Sequence, residues 1–388
     1  MLHPLMFART NDTVNELVPE PVYALTRRKA GSSVRPERNA GLHAMNDRPG
    51  NPLPFPARPT VVVAMGADEA AASLPADLRA ELGTMARLSP GVLTGDLTAP
   101  EERTALADAE VLITGWGTPP LTEDVLASAP RLRAVVHAAG SVRKLVGSAV
   151  WNRGIVVSSA AEANAGPVAD YTCAAIVLAA KKAIPAAAAY ATGPKPAFLD
   201  REGADGRTVG LIGASRIGRM VLTRLRASDA EFRILLYDPF VSAAEAAELG
   251  VELAGVDELC RASSIVTVHA PLLPETHRLL NAERLALIPD GGTVINTARG
   301  ALVDTDALTL ECLTGRLDAI LDVTDPEPLP RGHPLRKLPN VLLTPHIAGA
   351  QGSEVRRLGA YAVEEIGRLV RGQMLRGRVR EEDLSRLA

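Results

Sequence analysis

The chain has 388 residues, of which 47% are hydrophobic and 22% are charged, and its formal net charge at pH 7 is −3. A chain of this length can fill more than one hydrophobic core, so we expect two domains. Its basic residues are interleaved with acidic ones, which argues against a protein that binds nucleic acid through the phosphate backbone.

Three cysteines, Cys173, Cys260 and Cys312, lie far apart in the sequence and do not have the spacing of metal ligands. They cannot all pair, which favours free thiols in a reducing compartment, and we expect a cytoplasmic protein without a bound metal. The longest apolar stretch is interrupted by Lys181 and Lys182, so the sequence predicts no membrane span.

The first 57 residues are rich in Pro, Asn and Arg and show no sustained apolar period. This composition predicts a disordered N-terminal extension over residues 1–57. The first buried strand is predicted at TVVVAM, residues 60–65. The runs EVLITGW, LRAVVHAAG and GIVVSS then alternate with helix-like segments. This alternation indicates a parallel sheet with helices on its faces.

A long helix is predicted at NAGPVADYTCAAIVLAAKKA, ending before Pro185. A loop rich in Gly, Pro and Asp leads to a second alternating series. Its strand candidates are TVGLIG, RILLYD, SIVTVHA, GTVINTA, DAILDVT and NVLLTPH. Six such strands, the first opening onto a glycine turn, are what a doubly wound nucleotide-binding sheet requires, so the sequence predicts a two-domain α/β fold.

The glycine turn lies in VGLIGASRIGRM, residues 209–220, and departs from the dinucleotide-binding pattern G-x-G-x-x-G at one position. Ser215 stands where the middle glycine lets the pyrophosphate approach the backbone. Its hydroxyl is a hydrogen-bond donor for phosphate, and the start of the next helix directs free N–H groups to the same place. We therefore predict that the serine modifies a dinucleotide site without abolishing it. The predicted contacts are Gly213, Ser215, Arg216, Ile217 and Gly218.

Asp238 closes the next strand, 20 residues after Gly218. A carboxylate in this position can hold the adenosine ribose hydroxyls, and it would repel a 2′-phosphate. NAD is therefore favoured over NADP. The alternative is a glycine-bearing turn in an ordinary α/β sheet, with Asp238 as a strand-end cap.

Three later segments place polar side chains just after strands, at the edge of the sheet where ligands bind. INTARGALVD contains Arg299, LDVTDPEPLP contains Asp322 and Glu327, and LLTPHIAG contains His346. An imidazolium can protonate a keto oxygen, a guanidinium can grip a carboxylate, and a carboxylate can fix the imidazole tautomer. These residues predict hydride transfer between a nicotinamide and a keto acid. Asp325 is the rival of Glu327 as the imidazole partner.

Taken together, GLIGASRIGR, VTVHAPLLPETHRLLN, VINTARGALVD, LDVTDPEP and NVLLTPHIAG resemble the D-2-hydroxyacid dehydrogenase family in order and spacing. The resemblance implies NAD as cofactor, a small 2-keto or D-2-hydroxy acid as substrate, and a homodimer. By the same resemblance Arg299 is the substrate-binding arginine, Glu327 the glutamate that orients the histidine, and His346 the acid/base histidine.

The resemblance also implies contacts to cofactor and substrate outside the glycine turn. The further cofactor contacts would be Asp238, Ala270, Pro271, Thr297, Ala298 and Asp322. The backbone N–H groups of Gly140, Ser141 and Val142 would hold the substrate carboxylate in an anion nest, although an ordinary strand-to-helix turn is the alternative. Trp116 either walls the substrate pocket or only packs.

The family's architecture implies a Rossmann-type NAD-binding domain at residues 163–350. It would interrupt a smaller flavodoxin-like substrate domain at residues 58–162 and 351–388. The C-terminal helix supports this arrangement, because it presents one apolar face suited to docking back. That face consists of Val355, Leu358, Ala362, Ile366 and Leu369.

Two other histidines, His137 and His269, also follow strands, and we interpret both as structural groups rather than catalytic ones.

A binding protein is the alternative to an enzyme. The family also includes corepressors, so the chain could instead be an NAD(H)-sensing binding protein on the same fold. Such a regulator would bind NADH tightly and turn over poorly.

Overall fold

The computed structural model describes residues 55–385. Most of the predicted N-terminal extension lies outside the described residues. The strands are β1 Thr60–Ala64, β2 Arg87–Leu88, β3 Val111–Thr114, β4 Ala134–His137, β5 Val156–Ser159, β6 Thr208–Ile212, β7 Arg233–Tyr237, β8 Glu252–Leu253, β9 Ile265–Val268, β10 Gly292–Asn296, β11 Leu317–Leu321, β12 Val341–Leu343 and β13 Arg378–Val379.

The α-helices are α1 Ala67–Ser73, α2 Ala76–Met85, α3 Pro100–Leu106, α4 Glu123–Ala127, α5 Ser148–Asn152, α6 Ala161–Ala180, α7 Ala183–Thr192, α8 Arg216–Arg226, α9 Ala243–Leu249, α10 Val256–Ala262, α11 Ala282–Leu287, α12 Thr305–Leu313 and α13 Val355–Val370. Short 3₁₀ turns connect several of them.

The strands form two sheets. The first has the order β13-β5-β4-β3-β1-β2, and the second the order β12-β11-β10-β9-β6-β7-β8. All pairings are parallel except that of β13 with β5. The first sheet has the flavodoxin-like order and the second the Rossmann order, whose direction reverses between β6 and β9. The predicted α/β fold is therefore confirmed.

Both faces of each sheet are buried, which explains why the strands are almost continuously apolar. In β1, Val62 packs into one core cluster while Val61 and Val63 pack into another on the opposite face. In the second sheet, Val209 and Val266 belong to different clusters in the same way.

Two helices far apart in the sequence pack on different sheets. The long helix α6 buries Ala169 and Ile176 in the cluster that holds Val209 of the second sheet. The C-terminal helix α13 packs its apolar face into the cluster of the first sheet, with Val363 and Ile366 fully buried. The C-terminal helix thus packs on the first sheet.

The long helix differs from the predicted one at its end. Helix α6 stops at Ala180, Lys182 adopts a left-handed φ of 51°, and the new helix α7 then includes Pro185. A proline is compatible with this position because the N–H groups of a first helical turn have no intrahelical acceptor.

The short edge strands β2, β8 and β13 were not predicted either. Each has two residues, too few to show an alternating pattern. Within residues 55–385, no single helix is long and apolar enough to cross a membrane. Helices α6 and α7, which are bent by 57° relative to each other, would be long and apolar enough only if counted together, by length and composition.

Candidate active site

The predicted catalytic residues follow three adjacent strands of the second sheet. Arg299 comes after β10, Glu327 after β11 and His346 after β12. These strands are neighbours in the order β12-β11-β10 and run parallel. The loops that carry the three side chains therefore leave the same edge of the sheet.

His346 and Glu327 are in direct contact. The Nδ1 of His346 lies 2.7 Å from Oε1 of Glu327, and both side chains are partly exposed. A carboxylate only accepts hydrogen bonds, so Nδ1 carries the proton and Nε2 is left for another partner. Asp325, the rival partner in the sequence, makes no such bond and is exposed.

The loop of His346 is held by Asp322, a carboxylate that is 2% exposed. Its Oδ1 accepts hydrogen bonds from Thr344 Oγ1 at 2.6 Å and from the N–H of Ile347 at 2.8 Å. Its Oδ2 accepts the N–H of Ala348 at 2.8 Å. These bonds fix the backbone on both sides of His346, whose φ of 57° lies in the left-handed region.

Arg299 is half-buried in a loop that Asn296 organises. The Asn296 side chain donates to the carbonyl of Arg299 at 2.8 Å and accepts the N–H of Ala298 at 3.0 Å. Burial lowers the pKa of Arg299, the charge of Arg143 lowers it further, and the charge of Glu327 raises it. Glu327 thus acts electrostatically on Arg299 and is in contact with His346, and all three residues follow neighbouring strands at one edge of the sheet.

The glycine turn has the close contacts that a dinucleotide site needs. Gly213 has a φ of 98°, and a Cβ there would lie 2.7 Å from the N of Ala270. A Cβ on Gly218 would lie 2.2 Å from the carbonyl oxygen of Gly213. Both positions therefore require glycine, in the first and third roles of the pattern.

Ser215 is the N-cap of α8, and its hydroxyl oxygen accepts the N–H of Gly218 at 3.4 Å. No hydrogen bond within residues 55–385 engages the backbone N–H of Ser215, Arg216 or Ile217. Free N–H groups at a helix start are a phosphate-binding feature. The unengaged N–H groups fit the pyrophosphate of a dinucleotide.

Asp238 turns its carboxylate back towards the glycine turn. One oxygen accepts the N–H of Ala214 at 2.7 Å and the other accepts the N–H of Phe240 at 2.8 Å. This is the strand-end role of the alternative interpretation. Each carboxylate oxygen can accept a second hydrogen bond, so the residue also retains the capacity to bind ribose hydroxyls.

The remaining predicted cofactor residues lie along the carboxyl edge of the second sheet. Ala270 and Pro271 follow β9, and the backbone of Ala270 lies against Gly213. Thr297 shares a 2.8 Å hydrogen bond with Thr172 of α6, which ties that helix to the loop of Arg299. Their contacts with the cofactor stay predictions.

The predicted substrate loop follows β4 of the first sheet. Within the described part of the chain, no hydrogen bond engages the N–H groups of Gly140, Ser141 and Val142. The side chain of Val142 is buried, whereas Ser141 is exposed. Trp116 follows the neighbouring strand β3 and is 37% exposed, and its role in the pocket stays a prediction.

Two histidines that we interpreted as structural are buried. His269 shares a 3.0 Å hydrogen bond with Thr267, and burial lowers its pKa to about 3. His137 pairs with Thr114 at 3.0 Å, and burial lowers its pKa to about 4. Both rings are neutral near pH 7, which supports the structural interpretation.

Sequence reasoning missed several residues of this site. Asn296 is one, and Arg143 is another, although it stands directly after the predicted anion nest in HAAGSVRKL. Tyr171 of α6 was also missed; its hydroxyl lies 2.8 Å from Thr344 Oγ1, beside Asp322. Across residues 55–385, no group of three or more His, Cys, Asp or Glu side chains could hold a metal ion.

Comparison with known proteins agrees with this geometry. Residues 173–348 match the family model described as "D-isomer specific 2-hydroxyacid dehydrogenase, NAD binding domain". The glyoxylate reductase of Thermofilum pendens is 33% identical over 274 residues, which cover 69% of this chain and 80% of that protein. The chain belongs to the D-isomer specific 2-hydroxyacid dehydrogenase family. The predicted family and the predicted cofactor, NAD, are therefore confirmed.

Other members of the D-isomer specific 2-hydroxyacid dehydrogenase family are similar over different lengths. The D-3-phosphoglycerate dehydrogenase of Methanocaldococcus jannaschii is 34% identical over 290 residues, or 73% of this chain. This chain spans 54% of that relative's length.

Solved structures support the fold. The TT0316 protein of Thermus thermophilus is 32% identical with a TM-score of 0.68, and the match covers 83% of this chain and all of that one. The D-mandelate dehydrogenase of Rhodotorula graminis shares the fold at 24% identity, with a TM-score of 0.70 over 84% of this chain and 98% of that one.

Proposed function

We propose that this protein is an NAD-dependent oxidoreductase that interconverts a small 2-keto acid and a D-2-hydroxy acid. The observation that carries the proposal is the hydrogen bond between His346 and Glu327, with Arg299 after the neighbouring strand β10. The names of relatives, a glyoxylate reductase and D-3-phosphoglycerate dehydrogenases, support the same substrate class.

Each of the three residues has a separate task in this reaction. Glu327 holds the Nδ1–H of His346, so that Nε2 can give a proton to the keto oxygen during reduction and take it back during oxidation. Arg299 grips the substrate carboxylate with a planar fork of donors, and its partial burial strengthens the attraction. The N–H groups of Gly140, Ser141 and Val142 bind the same carboxylate.

The cofactor would be held by the residues of the second sheet. The N-terminus of α8 binds the pyrophosphate and Asp238 binds the adenosine ribose, which favours NAD over NADP. When bound in its reduced form, the nicotinamide supplies the hydride that adds to the keto carbon. Asp322 keeps His346 in place through the backbone of its loop.

The experiment is to follow NADH oxidation with glyoxylate, hydroxypyruvate and pyruvate, and to repeat it with NADPH. We expect turnover with NADH and a loss of about 100-fold or more in kcat for His346→Gln, the range of general acid–base catalysis. The matched control is His277→Gln, because the His277 side chain is exposed and is not assigned to the site.

Absence of turnover with every 2-keto acid would contradict the proposal. Tight NADH binding without turnover, together with a captured protein partner, would instead indicate the NAD(H)-sensing binding protein. Wild-type kcat in His346→Gln would remove the assigned role of the histidine.

We also propose that the protein is a cytoplasmic homodimer with α7 in its interface. Helix α7 contains no buried residue although its sequence is AIPAAAAYAT. Tyr190, Phe198 and Leu199 are 62%, 79% and 91% exposed. A second copy covering this surface would remove it from water. Light scattering should give the mass of a dimer, and Tyr190→Glu should shift the measured mass towards that of a monomer.

The cytoplasmic location is supported by the cysteines, which are free thiols and therefore suit a reducing compartment.

A further inference from the structure

Arg143 reaches from the first sheet to the second. It follows the predicted anion nest at Gly140–Val142, and its Nη1 donates to the carbonyl oxygen of Leu272 at 2.7 Å, in the segment after β9. Its Nε donates to the carbonyl oxygen of Leu384 at 2.8 Å. The guanidinium is thus fixed in position at the point where the two sheets' carboxyl edges approach each other.

Arg143 contacts the segment after β9, and Arg299 follows the neighbouring strand β10 of the same sheet. In line with this placement, the charge of Arg143 lowers the pKa of Arg299. Both arginines are only partly exposed, and in the described residues neither guanidinium has an Asp or Glu oxygen within 4.0 Å. Their partners are backbone carbonyls, which satisfy N–H groups without neutralising the charge. Two adjacent cations repel each other until an anion joins them.

The site therefore offers more hydrogen-bond donors for anions than one substrate carboxylate requires. Arg299 and the nest at Gly140–Val142 together account for the carboxylate next to the keto group. Arg143 has donors left over, because a guanidinium has five N–H groups and its recorded bonds to Leu272 and Leu384 use three of them.

We propose that Arg143 is a specificity-determining residue that binds a second anionic group on the substrate. The substrate is then a 2-keto or 2-hydroxy acid whose side chain carries a carboxylate or a phosphate. This inference rests on the proposed function, since it concerns the same site.

The test compares keto acids in pairs that differ in the second charge. 2-Oxoglutarate is paired with 2-oxovalerate, and 3-phosphohydroxypyruvate with hydroxypyruvate, each measured for kcat and KM with saturating NADH. We expect kcat/KM to be about tenfold or more higher for the member with the second anionic group in at least one pair, because the other member lacks the charge-assisted hydrogen bond to that group. The pair that shows the preference distinguishes carboxylate from phosphate.

The Arg143→Gln variant should raise KM about tenfold or more for the preferred substrate with two anionic groups, and should affect its partner, which carries only the 2-carboxylate, far less. Arg143→Lys should recover part of the preference, since it restores the charge without the planar fork. The matched control is Lys144→Gln, which removes the neighbouring exposed charge and should leave the preference unchanged. Thermal unfolding of each variant checks that it is folded.

Three results would overturn the inference. In the first, the wild type reduces the partner that lacks the second anionic group at least as well in both pairs. In the second, Arg143→Gln lowers kcat/KM equally for both members, which would mean that Arg143 holds the two sheets in position and does not bind the substrate. In both cases the oxidoreductase function stands. In the third, none of the four keto acids is reduced. The inference then fails, and the proposed function fails with it only if glyoxylate and pyruvate are not reduced either.

Discussion

Gly213 shows how a single backbone position determines whether the cofactor turn can form. Its φ of 98° is accessible to glycine without strain, and the backbone of Ala270 and His269 lies where a side chain would be. The contact is with main-chain atoms, which cannot rotate away. Ser215, in contrast, is accommodated because it has the extended backbone of an N-cap and uses its hydroxyl to cap α8.

Gly213→Ala should weaken NADH binding about tenfold or more, because strain in a left-handed backbone costs about 1 kcal/mol and the clash with Ala270 adds to it. Fluorescence titration of NADH measures the effect. Gly255→Ala is the control, since Gly255 has a φ of −64° and a Cβ there meets open space. Equal NADH affinity in the Gly213 variant and the control would contradict this account of the turn.

At the scale of elements, the loops after β10, β11 and β12 are fixed by buried side chains rather than by their own sequence. Asn296 holds the loop of Arg299, and Asp322 holds the loop of His346. Helix α6 contacts both loops, through Thr172 to Thr297 and through Tyr171 to Thr344. The proposed catalytic groups are therefore positioned by the strand ends and by one shared helix.

Asp322→Asn should lower kcat about tenfold or more, since an amide in this place has one acceptor oxygen for three donors and leaves a buried N–H unpaired. As a positioning residue, it should affect kcat more than the KM of the keto acid. Asp325→Asn is the matched control, because Asp325 is exposed in the same segment. An unchanged kcat in Asp322→Asn would show that the loop holds its shape without the carboxylate.

At the scale of the whole molecule, one buried neutral histidine stands at the carboxyl end of each sheet. His137 ends β4 of the first sheet, and His269 follows β9 of the second. Their pKa values are lowered by burial to about 4 and about 3. The unfolded chain therefore takes up protons below pH 6.5 that the folded chain does not, and stability falls as the pH falls through this range.

Each histidine should remove about 2 kcal/mol of unfolding free energy between pH 7 and pH 5, as calculated from an unfolded pKa of about 6.5. Urea titrations at several pH values measure this decrease. The double substitution His137→Asn with His269→Asn should flatten the pH dependence, whereas His277→Asn should not. A stability that rises or stays level from pH 7 to pH 5 would contradict the prediction.

The sequence by itself determined the two series of parallel strands, the glycine turn and the loops that carry Arg299, Glu327 and His346. These features depend on residues close together in the chain, such as β-branched runs and the spacing of glycines. Helix α7 was not predictable because its first turn contains Pro185, and a proline usually ends a helix. The two-residue edge strands are too short to show a period.

Only the tertiary structure decided which partner each polar side chain takes. Arg143 contacts the carbonyl of Leu272, 129 positions away, and Asp322 binds N–H groups 25 and 26 positions away. Such contacts depend on which strand ends are neighbours in the sheets, and the local sequence does not determine which residues distant in the chain become neighbours. The order of strands in the second sheet brings His346, Glu327 and Arg299 together, and the return of α13 to the first sheet places Leu384 beside Arg143.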